Sequence, residues 1–269
     1  MVPGISTGMD KRLLAILDPA ITDATVESFA ECDFALLDSD DDETRQLGVV
    51  VSGPGSATIV VTDRARSLGR LSVELGGRNN TLFFDNRAWA GQYYGHFRIP
   101  GSDCVVFFND IAGTYVALPE IFLRSDGQFL FWGRAASAVE CSIELEGTGQ
   151  GIVVGDDALI SMGVWIRNYD MHAMHDLATG LRISRPPVDT VIERHVWLGQ
   201  DALLLGCERI GMGTIIGARS LVKGVLPARV VAAGTPARII REGVSWGRDT
   251  YGMTGAERVS IGLAEHPAA

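Results

Sequence analysis

The chain has 269 residues, with 23 Lys plus Arg against 33 Asp plus Glu and a formal net charge of -10. That balance repels a phosphate backbone and argues against nucleic acid as a partner, so any anionic ligand must meet a local basic cluster. Cys32, Cys104, Cys141 and Cys207 form no CxxC pair and read as reduced, buried thiols of a cytoplasmic protein; no apolar run approaches the roughly 18 residues of a membrane span, so no integral membrane segment is expected.

Residues 1–71 read as a mixed N-terminal segment. LDPAITDATVESFAECDFALLDSDDDETRQL combines short helical patterns with the acidic run Asp38 to Glu43, which reads as a solvated loop, and GSATIVVTDRA reads as a strand. From residue 72 a weak repeat appears. LFFDN at Leu82, VFFND at Val106, LFWGR at Leu130 and VGDDA at Val154 begin 24 residues apart, which predicts degenerate solenoid coils over 72–151. Their aromatic residues Trp89, Tyr93, Tyr94, Phe107, Phe108 and Trp132 read mostly as packing, with platforms for sugar rings as the other use.

A sharper beat follows over 152–241. Ile192, Leu198, Leu204, Ile210, Ile216 and Val222 stand six residues apart, with Val154, Ile160 and Ile166 in the same register upstream. A helix repeats its apolar face every 3.6 residues and a half-buried strand every two, so neither accounts for a period of six. A prism does: each face is a short parallel strand, three faces make one coil, and the aliphatic residue points inward. Gly199, Gly211 and Gly217 follow three of these aliphatics and are expected at tight corners. The beat fails over 173–191, where Gly180, Pro186 and Pro187 punctuate a loop expelled from the solenoid, the place where function concentrates. Residues 242–269 form a tail with one short helical pattern and a frayed end.

The block HVWLGQDALLLGCERIGMGTIIGARSLVKGVLPARVVAAGTPARIIRE resembles the terminal coils of the hexapeptide-repeat acyltransferases. The resemblance implies an all-β fold, a left-handed parallel β-helix, against the right-handed habit of parallel crossovers. It is strong over 152–241, weak over 72–151 and absent before that. Within the family, IRNYDMHAMHDLATGLRISRPPVDTVIERHVWLG looks most like O-acetyltransferases of cell-surface polysaccharides, matched at Asp170, His172, Pro186, Pro187 and Trp197.

What the resemblance implies about the site starts from the chemistry. An alcohol attacks a thioester slowly at neutral pH unless a base takes its proton, and a neutral imidazole supplies that base; no acyl-enzyme, and so no Ser or Cys nucleophile, is needed. His172 occupies the catalytic position, and His175 is the second candidate. Asp170 or Asp176 could orient an imidazole through its other nitrogen. Trp197 matches a residue that packs on the acetyl-pantetheine arm or a sugar face, whereas His195, alternating with it, reads as structural. Acetyl-coenzyme A, as co-substrate, is expected in a groove between neighbouring β-helices. Gly217, Ala218, Gly234 and Thr235 match the positions that meet its pantetheine arm, and Arg219, Lys223 and Arg238 its phosphates. Where the family commonly reads SVVTKDVP this chain has SLVKGVLP, so its Lys stands one position early. The resemblance further implies a homotrimer with sites between subunits and a carbohydrate acceptor. Three alternatives stay open: an N-acetyltransferase of an amino-sugar nucleotide, a non-catalytic trimeric scaffold, and a metal enzyme like the gamma-type carbonic anhydrases. The last needs three histidines on β-helix faces; His96, His195 and His266 are ill placed to join His172 and His175, so no metal is expected.

Overall fold

The computed structural model describes residues 21, 35–63, 66–86, 92–110 and 115–262. Cys32, Trp89 and His266 lie outside them, as do the helical patterns expected before residue 35. Among the described residues 21 strands stack into one continuous, almost wholly parallel sheet wound as a left-handed β-helix.

Three columns of strands form its walls. The first comprises β2 (Val49–Ser52), β4 (Gly69–Leu75), β6 (Gln92–Ile99), β8 (Tyr115–Leu123), β11 (Cys141–Leu145), β14 (Val164–Arg167) and the first halves of β17 (Leu203–Ile210) and β19 (Leu221–Leu226). The second comprises β3 (Ala57–Val61), β5 (Asn80–Phe84), β7 (Val105–Phe108), β9 (Phe129–Trp132), β12 (Gly151–Val154), β15 (Thr190–Ile192) and the second half of β17. The third takes in the first halves of β4, β6 and β8, which bend from it into the first, and continues through β10 (Ser137–Ala138), β13 (Leu159–Ile160), β16 (Trp197–Leu198), β18 (Ile215–Ile216) and β20 (Val230–Gly234). Strand β1 (Ala35–Asp38) pairs antiparallel with β3, and β21 (Ala237–Glu242) folds back antiparallel on β20.

Parallel stacking begins at Val49, ahead of the expected boundary at 72. The acidic run is also more ordered than a solvated loop: Asp42–Gln46 is a short helix, α1, anchored by buried Thr44, whose hydroxyl donates to the Asp38 carbonyl.

The six-residue beat is the core. Ile192, Leu198, Leu204, Ile210, Ile216 and Val222 are all fully buried, as are Val154, Ile160 and Ile166. Upstream, Leu82 pairs with Val106 and Val106 with Leu130, as the 24-residue echo predicts. The third interval is shorter: Leu130 pairs with Ile152, and Val154 stacks on Trp132 instead. The interior changes with coil size. Wide upstream coils are filled by Phe84, Phe108 and Trp132, whose neighbouring rings lie 5.6 and 6.1 Å apart, and the narrow downstream coils by Val154, Ile192 and Ile210 in the same column. Close packing requires this match of side-chain volume to cross-section.

The glycines after the aliphatics stand at the strand ends where the corners begin, and there they permit close stacking. A Cβ on Gly211 would sit 2.3 Å from the Ala228 nitrogen, and one on Gly199 would sit 2.6 Å from the Ile216 carbonyl oxygen. The left-handed residue of each such corner comes two positions later, at Asp201, Gly213 and Arg219, and one column of corners runs through Ala135, Asp157, His195, Gly213 and Arg229, each with φ between 55° and 71°. Among them each amide from Asp157 onward reaches back to a carbonyl of the preceding coil. The tail docks on this column. Trp246 stacks on His195 at 4.2 Å, and helix α2 (Gly255–Ser260) opens with a capping box between Thr254 and Glu257.

Candidate active site

The ejected loop leaves the prism after β14 and returns before β15. Ile152 pairs with Thr190 while Val191 pairs with Arg209, so the coil carrying the loop is longer than the next by about twenty residues. Asn168 closes its base. Fully buried, it donates from Nδ2 to the carbonyls of Glu146 and Val188 and accepts from the Glu146 amide, while the Val188 amide donates back to its carbonyl. The chain is therefore outside the prism from about 169 to 187, and 190–191, expected within the loop, already belong to strand β15. The loop is a narrow hairpin with Ile183 and Asp176 amides donating across it to Met174 and Leu181.

His172 and His175 both lie on this hairpin, exposed to solvent. Neither imidazole has a hydrogen-bond partner among the described residues. Asp170 does not orient an imidazole: its carboxylate accepts from Lys223 Nζ at 3.0 Å, across the corner from β19. Lys223 is thus engaged at the loop base. Asp176 is occupied too. Its Oδ1 accepts from the Ala178 and Thr179 amides and the Thr179 hydroxyl, which holds its carboxyl below the ordinary value and builds the loop tip. A cleft of about 290 Å³ opens at the base, lined by Tyr169, Asp170, Ser184, Arg185 and Lys223 among others. Sequence reading passed over Asn168 and Tyr169; the signal was their place, a polar step off a strand at the point where the beat fails.

The remaining expected residues gather one corner away. Gly217, Ala218 and Arg219 follow β18, and Gly234 and Thr235 form the turn between β20 and β21. The Gly234 amide donates to Ser220 Oγ at 3.1 Å, which brings the two turns together. Ala218 is exposed; Arg219 is exposed too, with only a 3.5 Å contact to Asp201, and Arg238 lies exposed on β21. Trp197 belongs to this group. It is 36% exposed on β16 and donates from Nε1 to Ser161 Oγ at 3.3 Å. The width of the β14–β17–β19 wall, four residues at about 3.3 Å each, separates this corner from the loop base on one chain.

His195 is structural. It is buried, with Nδ1 2.6 Å from Asp157 Oδ2, Nε2 2.9 Å from the Trp246 carbonyl, and Trp246 Nε1 donating to the His195 carbonyl. Of the proposed platforms among the described residues, Tyr93, Phe107, Phe108 and Trp132 are buried and only Tyr94 is exposed. Cys104, Cys141 and Cys207 are free and buried. Burial pushes the thiols up, to about 11 for Cys104 and about 12 for Cys207, so none is an activated nucleophile. Among the described residues no three His, Cys, Asp or Glu side chains are grouped to hold a metal ion, and no helix is long and apolar enough to cross a membrane.

No protein-family model matches the chain. It is similar to the putative lipopolysaccharide biosynthesis O-acetyl transferase WbbJ of Escherichia coli, 27% identical over 148 residues, which span 45% of this chain and 75% of that protein. It is 33% identical over 104 residues to a polysialic acid O-acetyltransferase of Neisseria meningitidis, spanning 38% of this chain and about half (48%) of that relative's length. Among solved structures, the polysialic acid O-acetyltransferase OatWY matches with a TM-score of 0.53 at 23% identity, over 77% of this chain and 90% of that one. At that identity the likeness establishes the fold alone.

Proposed function

We propose that this chain, a member of the hexapeptide-repeat acyltransferases, is an O-acetyltransferase that moves an acetyl group from acetyl-coenzyme A to a hydroxyl of a cell-surface polysaccharide or its precursor, in the cytoplasm. The observation that carries this reading is the loop: an exposed, unpartnered His172 on a hairpin whose base is pinned by Asn168 and by the Lys223–Asp170 pair. His172 takes the acceptor hydroxyl's proton as its oxygen attacks the thioester carbonyl, and returns it to the departing thiolate. The donor fits the second corner. Gly217, Ala218 and Gly234 leave backbone open to an extended arm, Trp197 lies beside them, and Arg219 and Arg238 supply cations on an acidic chain.

Because one chain holds His172 and Trp197 at different corners, the centre closes between copies, in a homotrimer. The loop's apolar surface supports this: Met174, Leu181 and Ile183 are half to two-thirds exposed, and Leu177 wholly so. The N-acetyl alternative is not favoured, since the relatives described above are named as O-acetyltransferases.

His172→Ala tests the reading. The expected result is a loss of turnover of about 10²–10⁴-fold, the usual worth of a general base, with coenzyme A binding by calorimetry retained. Undiminished turnover, or loss of turnover in His175→Ala instead, removes His172 from the role.

A further inference from the structure

The N-terminal coils carry a second recess, unconnected with the loop. It is a groove of about 560 Å³ on the outer face of β4, β6 and β8, and its walls include Val50, Arg70, Ser72, Tyr94, His96 and Pro119. The strand register sets Arg70 beside Tyr94 and Ser72 beside His96. The floor is backbone: a Cβ on Gly69 would lie 2.3 Å from the Tyr93 carbonyl oxygen and one on Gly95 2.6 Å from that of Leu118, so the surface can only be recessed there.

Two features distinguish the groove from ordinary surface. Arg70, Ser72, Tyr94 and His96 make no side-chain hydrogen bond or ion pair with any described residue, although elsewhere on this face Arg98 pairs with Glu120 and Arg167 with Glu144. Convergent polar groups around an open aromatic ring are what a sugar requires: the Tyr94 ring, 56% exposed, offers a flat apolar face and the others offer hydrogen bonds. The groove also lies on the same wall as Trp197 of the proposed centre. From Tyr94 the ladder runs β6 to β8, β10, β13 and β16, where Trp197 stands, four steps of about 4.8 Å or about 19 Å in all. Exposed Tyr115 and Val139 lie along that path.

We propose that this groove is an acceptor subsite for a carboxylate-bearing oligosaccharide, holding a polymeric acceptor several sugars away from the hydroxyl that reacts. The inference rests on the carbohydrate O-acetyltransferase reading and deepens it. Tyr94 stacks on a sugar ring, Arg70 engages a carboxylate, and Ser72 and His96 bond hydroxyls. The acceptor is then read as a chain and not as a single residue.

Binding without acyl donor separates this idea from the transfer reaction. Full-length protein is titrated by calorimetry with oligomers of sialic acid, of galacturonic acid and of hyaluronan, with their monosaccharides, and with neutral dextran. At least one acidic oligomer should bind tenfold or more tightly than its monosaccharide and than dextran. Arg70→Ala and Tyr94→Ala should each weaken it about tenfold, the worth of one charge-assisted bond or one stacked ring, while Tyr94→Phe retains it. Binding of none of the three acids, equal binding of dextran, or affinity unchanged in both alanine variants overturns the proposal. A change of native mass in those variants also overturns it, by making the face an interface between copies. Absence of transfer with chain-length-dependent binding intact counts against the acetyltransferase reading and leaves the subsite standing.

Discussion

Lys223 shows how one contact redirects a residue's role. Its basic character and position suggest a phosphate ligand, yet its ammonium lies 3.0 Å from Asp170, two residues before His172. A half-exposed pair of this kind contributes up to about 1 kcal/mol, enough to bias a loop's entry angle but not the fold. Lys223→Met is therefore expected to lower kcat by about fivefold with the KM for acetyl-coenzyme A unchanged. A raised KM with kcat intact would return Lys223 to phosphate binding. Asp157 makes a similar case in the tail. Burial pushes its carboxyl up, but hydrogen bonds from His195 and Arg248 outweigh that and hold it below the ordinary Asp value of 3.8. A depressed folded value gives stability that is present above the ordinary value and lost as pH falls through the folded one. The tail should therefore detach on acidification below about pH 4. Trp246 emission, isolated by subtracting a Trp246→Phe titration, should red-shift there, and Asp157→Asn should remove that transition.

At the scale of the element, each hexapeptide strand buries one aliphatic completely and stacks on two neighbours. Leu204→Ala opens a void that strands bonded on both sides cannot close, so a loss of about 2–5 kcal/mol is expected in denaturant unfolding. An outward neighbour such as Val225, 61% exposed, should cost under about 0.5 kcal/mol on the same change. This contrast is why the strands of 152–241 were legible: a buried position tolerates only aliphatics, and the composition repeats as the geometry does. The wider coils were harder. With Phe84, Phe108 and Trp132 filling a larger section, repeats of 24 and then 22 residues leave no single period to find, and a strict 24-residue spacing sets Val154 on Leu130 where the fold stacks it on Trp132. The loop's boundaries were set by Asn168 and Val188, whose mutual bonds lie twenty residues apart in sequence and leave no local trace. Likewise Asp170 and Lys223, 53 residues apart, meet only because the coils bring one corner above another.

For the whole molecule, the question is how one prism assembles a centre whose parts face different ways. His172 projects from the corner after β14, while Trp197 and the Gly217–Arg219 turn occupy the corner before it. A rigid stack of parallel strands cannot bend these together, so in the proposed homotrimer rotation about the threefold axis would bring one copy's loop to the next copy's Trp197. The arrangement predicts complementation. If each site takes His172 from one subunit and Trp197 from its neighbour, His172→Ala and Trp197→Ala chains mixed equally and reassembled at random yield about a quarter of sites with both residues intact. Activity should rise from near zero in either parent to about that fraction on mixing, with native mass giving a trimer throughout. If each site drew both residues from one subunit, every site in the mixture would carry one lesion and activity would stay at the level of the parents, which would place the centre within a single chain.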